Sequence, residues 1–292
     1  MPVGTCLQLT LESHHEKRYD QGHNPTEAGE AKMRLIDSHA HFMYSVPGSD
    51  DRAQRALDQA YVDAADRLGI DTLVVSVPMV PKPTTPEIFR HANDLVLDGM
   101  RKWPGQIWMT TYVNPGWTQQ ALAEIDRTLD AHEDVVAVKL LWDYCCSDPV
   151  CFPVVEKCIE RGLVLIIHQA HLAKHKTLKP HYDVDAADVV ALAQRYPEAP
   201  IVADHIGGGG DWEWTVKTLA EAPNVSNEIS GSGFDEGMLE MQLEYLGADR
   251  LVFACDCSIS SSVGKFRALP CSEEDRKKIG AENFLRLCGR AQ

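Results

Sequence analysis

Two histidines separated by one residue, His39 and His41, stand close behind the short apolar run Leu35-Ile36. If this run belongs to a β-strand, side chains two residues apart point to the same face, so both imidazoles aim at one point. Two imidazole nitrogens supply half of the ligands of a four-coordinate transition-metal site. Histidine pairs at this spacing also arise by chance, so the pair predicts a metal site only together with further ligands.

Candidate partners end or follow three other apolar runs of the chain, and these are His168, His205 and Asp256. Three histidines and an aspartate supply the nitrogen and oxygen ligands expected of Zn²⁺, Mn²⁺ or Fe²⁺. A catalytic metal of this kind lowers the pKa of a bound water to about 7 and polarises a substrate carbonyl. Asp256 would accept the proton of that water and return it to the leaving group, while His205 would hold the water or the developing oxyanion.

These residues need elements that bring them together, and the chain alternates apolar β-branched runs with amphipathic stretches. The pattern predicts eight strands, at residues 34–37, 71–77, 106–112, 135–141, 163–168, 200–204, 225–229 and 250–255. It predicts helices at residues 51–68, 86–102, 118–131, 150–161, 184–195, 212–221, 236–246, 272–279 and 281–288. Gly69 and Gly162 follow two of these helices, where glycine commonly ends a helix.

Strands that alternate with helices imply parallel pairing through right-handed crossovers, and eight such units predict a (β/α)8 TIM barrel. An open doubly wound sheet is the competing fold, but the chain lacks a GxGxxG fingerprint after its first strand and any GxxxxGK[ST] motif. In a (β/α)8 barrel the active site lies at the carboxyl ends of the strands. All five candidate residues would therefore converge at one mouth of the barrel, although they are far apart in sequence.

Length, composition and charge limit the possible functions. The 292 residues fit a single α/β barrel, which we place at residues 34–292 behind a polar N-terminal extension at residues 1–33. The net charge of −15 argues against nucleic acid as a partner, and a small-molecule substrate is expected instead. No apolar stretch reaches the ~20 residues that a membrane helix needs. The nine cysteines without a CxxC pair, and the lack of a secretory signal, predict reduced thiols in the cytoplasm.

The order of these residues along the chain resembles that of the amidohydrolase superfamily, and the finer pattern resembles its amidohydrolase-2 branch, which includes the aminocarboxymuconate-semialdehyde decarboxylase-like proteins. The similarity covers the chain from about Arg34 to Gly289. It rests on the stretches IDSHAHF, VVAVKLL, GLVLIIHQAH, PIVADHIGGG, PNVSNEISG, LGADRLVFACD and IGAENFLRLCG. The resemblance implies a distorted (β/α)8 barrel with one divalent metal, usually zinc, and a catalytic histidine beside it, His205. It also implies four metal ligands, which are His39, His41, His168 and Asp256.

Members of this branch hydrolyse lactones, amides or esters, or decarboxylate aromatic or unsaturated acids. We therefore predict a metal-dependent hydrolase of a small, carboxylate-bearing lactone, ester or amide, in which Asp256 serves a metal-activated water as general base and acid. A non-oxidative decarboxylase of an aromatic or unsaturated acid on the same metal site is the alternative. A catalytically idle barrel that binds a small molecule is a third hypothesis. A homodimer is expected by analogy with the family.

The sequence departs from the branch at two strands. Many relatives have a histidine shortly after the strand-4 lysine, where this chain has Leu-Leu-Trp after Lys139. Relatives often have Ser or Thr just before the strand-8 aspartate, where this chain has Cys255. The two-metal members of the superfamily carry a carboxylated lysine or a glutamate on strand 4. Lys139 is a candidate for that role, or for a residue that binds a substrate carboxylate or a structural partner.

Overall fold

The computed structural model describes residues 33–169, 184–205, 211–231, 233 and 235–290. The chain separates into two compact units, Met1–Lys32 and Met33–Gln292, and the second unit contains the elements given below. The N-terminal extension predicted at residues 1–33 falls outside the described residues except for Met33, so it stays a prediction. Within the described ranges no helix is both long and apolar enough to cross a membrane. The cytoplasmic location also stays a prediction.

Eight parallel strands form one sheet in which each strand pairs with the next along the chain. They are β1 (Ile36–His41), β2 (Thr72–Ser76), β3 (Ile107–Tyr112), β4 (Val135–Leu140), β5 (Val164–Ile167), β6 (Ile201–Ala203), β7 (Val225–Glu228) and β8 (Leu251–Val252). The chain just after β8 returns to β1, because the Ser38 N–H donates to the Phe253 carbonyl at 3.1 Å and a parallel bridge joins Ala40 to Asp256. The sheet therefore forms the predicted (β/α)8 barrel, nearly closed.

Helices connect the strands, as the sequence predicts. They are α1 (Arg52–Leu68), α2 (Pro86–Lys102), α3 (Thr118–Ala131), α4 (Phe152–Arg161), α5 (Ala186–Arg195), α6 (Trp212–Leu219) and α7 (Met238–Leu246). After β8 come α8 (Ile259–Ala268), α9 (Glu273–Lys277), a π-helical turn (Lys278–Glu282) and α10 (Asn283–Leu287). Gly69 and Gly162 end α1 and α4 in the left-handed conformation, with φ of 80° and 64°. The sequence pattern did not predict α8.

Along most strands, successive residues face the barrel interior and the surrounding helices in turn. In β5, Val164 and Ile166 belong to the apolar cluster inside the barrel, whereas Leu165 and Ile167 belong to the cluster between sheet and helices. His168 was predicted as the last residue of this strand and instead follows it directly. By its position it continues the inward-facing set of Val164 and Ile166.

β1 departs from this alternation. Ile36 lies in the interior cluster, but Ala40, four residues later, lies in the cluster that faces the helices. The pairing register with β2 shifts between Asp37 and Ala40. A β-bulge inserts one extra residue and so reverses the face to which later side chains point. The bulge therefore turns His39 and His41 toward the interior, and β1 extends through His41 instead of ending before the histidines.

Candidate metal centre

All five predicted site residues lie at the carboxyl ends of strands. His39 and His41 stand at the end of β1, His168 follows β5, His205 follows β6 after one residue, and Asp256 follows β8 after a short extended segment. All five are buried or only partly exposed. The structure therefore places the predicted residues together at the mouth of the barrel.

His39, His41 and Asp256 form one compact group of possible ligands. The Nε2 atoms of the two histidines lie 2.9 Å apart, and Nε2 of His41 lies 3.2 Å from Oδ1 of Asp256. Nε2 of His39 lies 3.9 Å from the same oxygen. Ligand atoms around one tetrahedral metal with ~2.0 Å bonds lie about 3.3 Å apart. These three side chains therefore have the spacing that a single transition-metal ion requires.

His168 belongs to a neighbouring group rather than to this one. Its Nδ1 lies 3.2 Å from Nε2 of His205 and 3.9 Å from Oδ2 of Asp204. Its Nε2 is buried and has no hydrogen-bond partner among the residues that the structure describes. A buried polar atom without a partner is the kind of group that an ion or an ordered water satisfies. The donor set thus fits a cation, while the role of His168 as a ligand stays a prediction.

Two buried carboxylates that the sequence analysis did not identify, Asp204 and Glu228, pack directly behind the histidines. Asp204 forms an ion pair with Lys139, whose Nζ also lies 3.0 Å from Nε2 of His39. Oε1 of Glu228 lies 3.2 Å from Nδ1 of His39 and accepts the backbone N–H of His205 at 2.6 Å. A charged residue within an apolar strand or at its end is the signal that would have found both.

Lys139 has a structural partner within the site, which is one of the roles that the sequence left open. Its side chain is 1% exposed and that of Asp204 is fully buried. A group so enclosed cannot contact a substrate carboxylate.

Burial sets the protonation of the imidazoles. The pKa of His39 and that of His168 lie well below the ordinary histidine value, and the pKa of His205 is also lowered. In each case burial disfavours the imidazolium ion, and the positive charge of Lys139 adds to the effect. Neutral imidazole is the form that binds a metal. The three histidines are therefore ready to accept a cation without first losing a proton.

Asp256 is held in its ionised form. Burial alone would raise its pKa, but the hydrogen bond from His41 holds the pKa of Asp256 well below its usual range. Asp256 is also the most accessible of the five residues, with 27% of its side chain exposed. An ionised and reachable carboxylate beside the histidines suits both metal ligation and proton transfer.

Asp37 connects the two strands that carry this group. Its Oδ1 accepts the backbone N–H of His39 at 3.1 Å and that of Cys255 at 2.8 Å. The Tyr61 hydroxyl lies 3.1 Å from Oδ2 of Asp37 and 3.0 Å from the carbonyl oxygen of Asp256. Burial raises the pKa of Asp37 to about 7. Asp37 therefore fixes the relative positions of β1 and the segment that holds Asp256.

Backbone strain is concentrated at the same mouth. Among the described residues, three that are not glycine have a left-handed backbone: Trp142 (φ 45°), His205 (φ 65°) and Asp256 (φ 53°). Such conformations cost about 1–3 kcal/mol each and cluster at functional sites. Two of the three are the residues predicted from the sequence to transfer the proton and to hold the attacking water or the developing oxyanion. The third, Trp142, packs its ring edge against His168, with the ring centroids 4.8 Å apart.

The barrel sequence matches a known protein family. The sequence model of the amidohydrolase family matches residues 36–290, which is nearly the whole barrel. This chain belongs to the amidohydrolase family. It falls in the amidohydrolase-2 branch, as the motifs predicted. No curated protein matches it in sequence.

Solved structures share the fold of this amidohydrolase. A 2,6-dihydroxybenzoate decarboxylase from Rhizobium is 18% identical, with a TM-score of 0.67 over 88% of this chain and 99% of that chain. The 5-carboxyvanillate decarboxylase of Sphingomonas paucimobilis is 18% identical, with a TM-score of 0.66 over the same shares. A dihydroxybenzoic acid decarboxylase from Polaromonas sp. JS666, with bound manganese and the inhibitor 2-nitroresorcinol, is 19% identical, with a TM-score of 0.67 over 88% and 97%.

At this level of identity the likeness establishes the fold, and the residue roles are not transferred by it. The barrel and the branch predicted from the sequence are confirmed. A divalent metal is supported by the ligand groups at the mouth and by the manganese in related structures, whereas zinc in particular has no specific support. The predicted homodimer stays a prediction.

Proposed function

We propose that this protein is a metal-dependent, non-oxidative decarboxylase of an aromatic carboxylic acid. The supporting observation is that the structures described above, which match along almost their whole length, are decarboxylases of hydroxylated benzoates, while the chain carries a ligand-like cluster at the mouth of the same barrel. This is the alternative that the sequence analysis held beside hydrolysis. The predicted hydrolysis of a lactone, ester or amide has no comparable support.

Asp256 is the residue to which we assign the proton transfer. Non-oxidative decarboxylation breaks the bond between the ring and the carboxylate, releases CO₂ and leaves an electron pair on the ring carbon. That carbon must then receive a proton, and Asp256, which is ionised in the resting site, would first take this proton up from solvent at the mouth and then transfer it to the carbon. Asp256 is more exposed than any of the four histidines around it, so a substrate at the mouth reaches its carboxyl group first.

His205 orients this chemistry. Its Nε2 lies 3.2 Å from His168 and its Nδ1 lies 3.0 Å from the Ser230 hydroxyl, so the ring is held from both sides. A divalent metal, when bound, supplies positive charge that attracts an anionic substrate and stabilises the charge that develops as CO₂ departs. His39, His41, Asp256 and His168 are the residues that we expect to hold it.

Trp142 supports an aromatic substrate. It follows β4 at the mouth, 36% of its side chain is exposed, and its ring stands edge-on to that of His168. An exposed indole next to a candidate ligand offers a flat apolar surface for a benzoate ring to pack against. The strained backbone at this residue, with φ of 45°, is also expected where function fixes a side chain.

An assay that measures both CO₂ release and hydrolysis products tests this proposal. Metal-free protein is reloaded separately with Mn²⁺ and with Zn²⁺ and given hydroxylated benzoates, including 2,6-dihydroxybenzoate and 5-carboxyvanillate, beside a panel of lactones, esters and amides. We expect CO₂ release from a hydroxylated benzoate, and none from Asp256→Asn, whose metal content is measured beside the wild type because Asp256 is also a proposed ligand. Hydrolysis of the second panel without CO₂ release would restore the hydrolase prediction. No product from metal-loaded protein on either panel would favour an idle barrel.

A further inference from the structure

Glu228 is a fully buried carboxylate at the end of β7 to which no catalytic or ligand role has been assigned so far. Its Oε1 lies 3.2 Å from Nδ1 of His39 on β1 and accepts the backbone N–H of His205 at 2.6 Å. Ser230 contributes two more donors: its N–H reaches Oε2 at 2.8 Å and its hydroxyl reaches Oε1 at 2.6 Å. The carboxylate therefore links β1, the segment after β6 and the segment after β7.

The neighbours of His39 determine where its proton resides. Both oxygens of Glu228 accept backbone N–H groups, from His205 and Ser230, so Nδ1 of His39, which faces this acceptor, carries the hydrogen. On the other side of the ring, the Lys139 ammonium only donates, and its Nζ lies 3.0 Å from Nε2 of His39. Nε2 must therefore be the acceptor. Two contacts specify the same neutral tautomer, in which Nε2 keeps a lone pair that accepts from Lys139 and that a metal would take over.

Glu228 itself is poorly suited to be a metal ligand. Its Oε1 already lies within hydrogen-bond distance of three donors, and a carboxylate oxygen has two lone pairs. Its remaining oxygen accepts the Ser230 N–H. Histidines that bind metals usually donate their other ring N–H to a carboxylate, which fixes the tautomer and raises the basicity of the ligand. The position of Glu228 behind His39 matches this arrangement.

We propose that Glu228 is a positioning residue that holds His39 as the Nδ1-protonated tautomer, so that Nε2 is available to bind the metal. The same oxygen anchors the backbone N–H of His205, whose left-handed conformation points its imidazole into the site. The consequence for metal affinity rests on the proposed metal site. The tautomer of His39 does not, because it follows from contacts that exist without any metal.

A pair of matched variants separates positioning from burial. In Glu228→Gln the NH₂ group of the new amide replaces one of the two carboxylate oxygens. In either orientation this NH₂ group faces a backbone N–H, of His205 or of Ser230, and two donors cannot hydrogen-bond to each other. At least one hydrogen bond is therefore lost. Glu124→Gln is the control. Glu124 on α3 is also a buried glutamate, 4% exposed, and its carboxylate accepts hydrogen bonds from Asn93 and Arg127.

The experiment has two readouts. Nitrogen-15 NMR of metal-free wild-type protein, with His39 assigned from a His39→Gln spectrum, reports the tautomer, and we expect Nδ1–H. Titration with Zn²⁺ and Mn²⁺, well below the melting temperatures, reports affinity. We expect Glu228→Gln to raise the dissociation constant about 10–100-fold and Glu124→Gln to leave it unchanged.

The possible failures can be told apart. An Nε2–H tautomer in the wild type would overturn the proposal, as would an unchanged dissociation constant in folded Glu228→Gln. If Glu228→Gln does not fold, the wild-type tautomer alone decides. If the wild type binds neither metal, the proposed metal-dependent function fails, while the NMR readout still tests the role of Glu228. A residue that mattered only for packing would lower the melting temperature without changing tautomer or affinity.

Discussion

Replacing Lys139 with methionine tests how strongly the barrel depends on its buried ion pair. Lys139 and Asp204 are almost completely enclosed, and Oδ1 of Asp204 has no hydrogen-bond partner within the described part of the chain. Burial already raises the pKa of Asp204 well above its ordinary value, although Lys139 opposes the shift. Methionine occupies a similar volume but carries no charge. We therefore expect the variant to leave a buried carboxyl group that must be protonated or remain unpaired.

The expected loss of stability is large. Removing one partner of a buried ion pair costs about 3–5 kcal/mol, because the other charge stays buried without compensation. In a domain of this size 1 kcal/mol changes the melting temperature by roughly 2–4 °C, so the expected fall is about 6–20 °C. Lys157→Met is the matched control, since Lys157 pairs with Asp126 at 3.2 Å on the partly exposed surface. A pair of that kind contributes only about 0–1 kcal/mol.

Scanning calorimetry of metal-free wild type, Lys139→Met and Lys157→Met makes this comparison, and a chelator excludes stabilisation by bound ions. The single variant Asp204→Asn and the double variant Lys139→Met/Asp204→Asn complete a thermodynamic cycle, and we expect the double variant to be more stable than the sum of the single changes predicts, because neither charge then remains unpaired. If the melting temperature of Lys139→Met lay within about 2 °C of that of Lys157→Met, the reasoning would be refuted. The loss of the buried partner would then destabilise the protein no more than the loss of a surface ion pair.

Four other predictions concern the candidate centre itself. His39→Ala should lose the bound metal. Elemental analysis would find about one ion per chain in the wild type and less in the variant, and equal metal content in both proteins would contradict the role of His39 as a ligand. Asp256→Asn should reduce turnover at least ~10²–10⁴-fold with an unchanged circular dichroism spectrum, because the amide cannot carry the proton, and His205→Asn should lower kcat while metal content stays at the wild-type level. Asparagine is chosen at both positions because it tolerates a left-handed backbone. Gly231→Ala should lower both the stability and kcat more than Gly48→Ala does. Both glycines have a positive φ, but only at Gly231 would a new Cβ lie close to the site, 3.3 Å from His205. Equal effects of the two substitutions would show that this contact does not matter.

The barrel was predictable because the same local signal recurs along the chain. β5 is a continuous apolar run that is buried throughout, as expected for a strand of a parallel sheet, and Gly162 ends the preceding helix in the predicted conformation. α8 was missed for an equally local reason. Its sequence contains three consecutive serines and Gly264, all poor helix formers, so the helix depends on the burial of Val263 and Phe266 rather than on propensity.

The positions of the site residues could be predicted, but their partners could not. A residue at the carboxyl end of a barrel strand lies at the mouth whatever its neighbours are, and this rule alone brings His168 and Asp256 to the same place. The contact between His39 and Glu228 joins residues 189 positions apart and depends on strand register and side-chain direction. The bulge in β1 shows why: strict alternation from Ile36 would have pointed His39 toward the helices.

Two of the three strained residues at the mouth, His205 and Asp256, point to where function constrains this fold. His205 and Asp256 occupy backbone conformations in which glycine would be less strained, yet glycine would remove the imidazole and the carboxylate. Each strained residue has its N–H bound to another part of the centre: His205 donates to Glu228, and Asp256 donates to the carbonyl of His39, both at 2.6 Å. The hydrogen bonds that offset the strain therefore pass through His39 and its partner. A change at Glu228 removes the acceptor of the His205 N–H and is therefore expected to release the backbone of His205 as well as to alter the candidate ligand His39, whereas a side-chain change at His39 leaves the carbonyl that binds Asp256 in place.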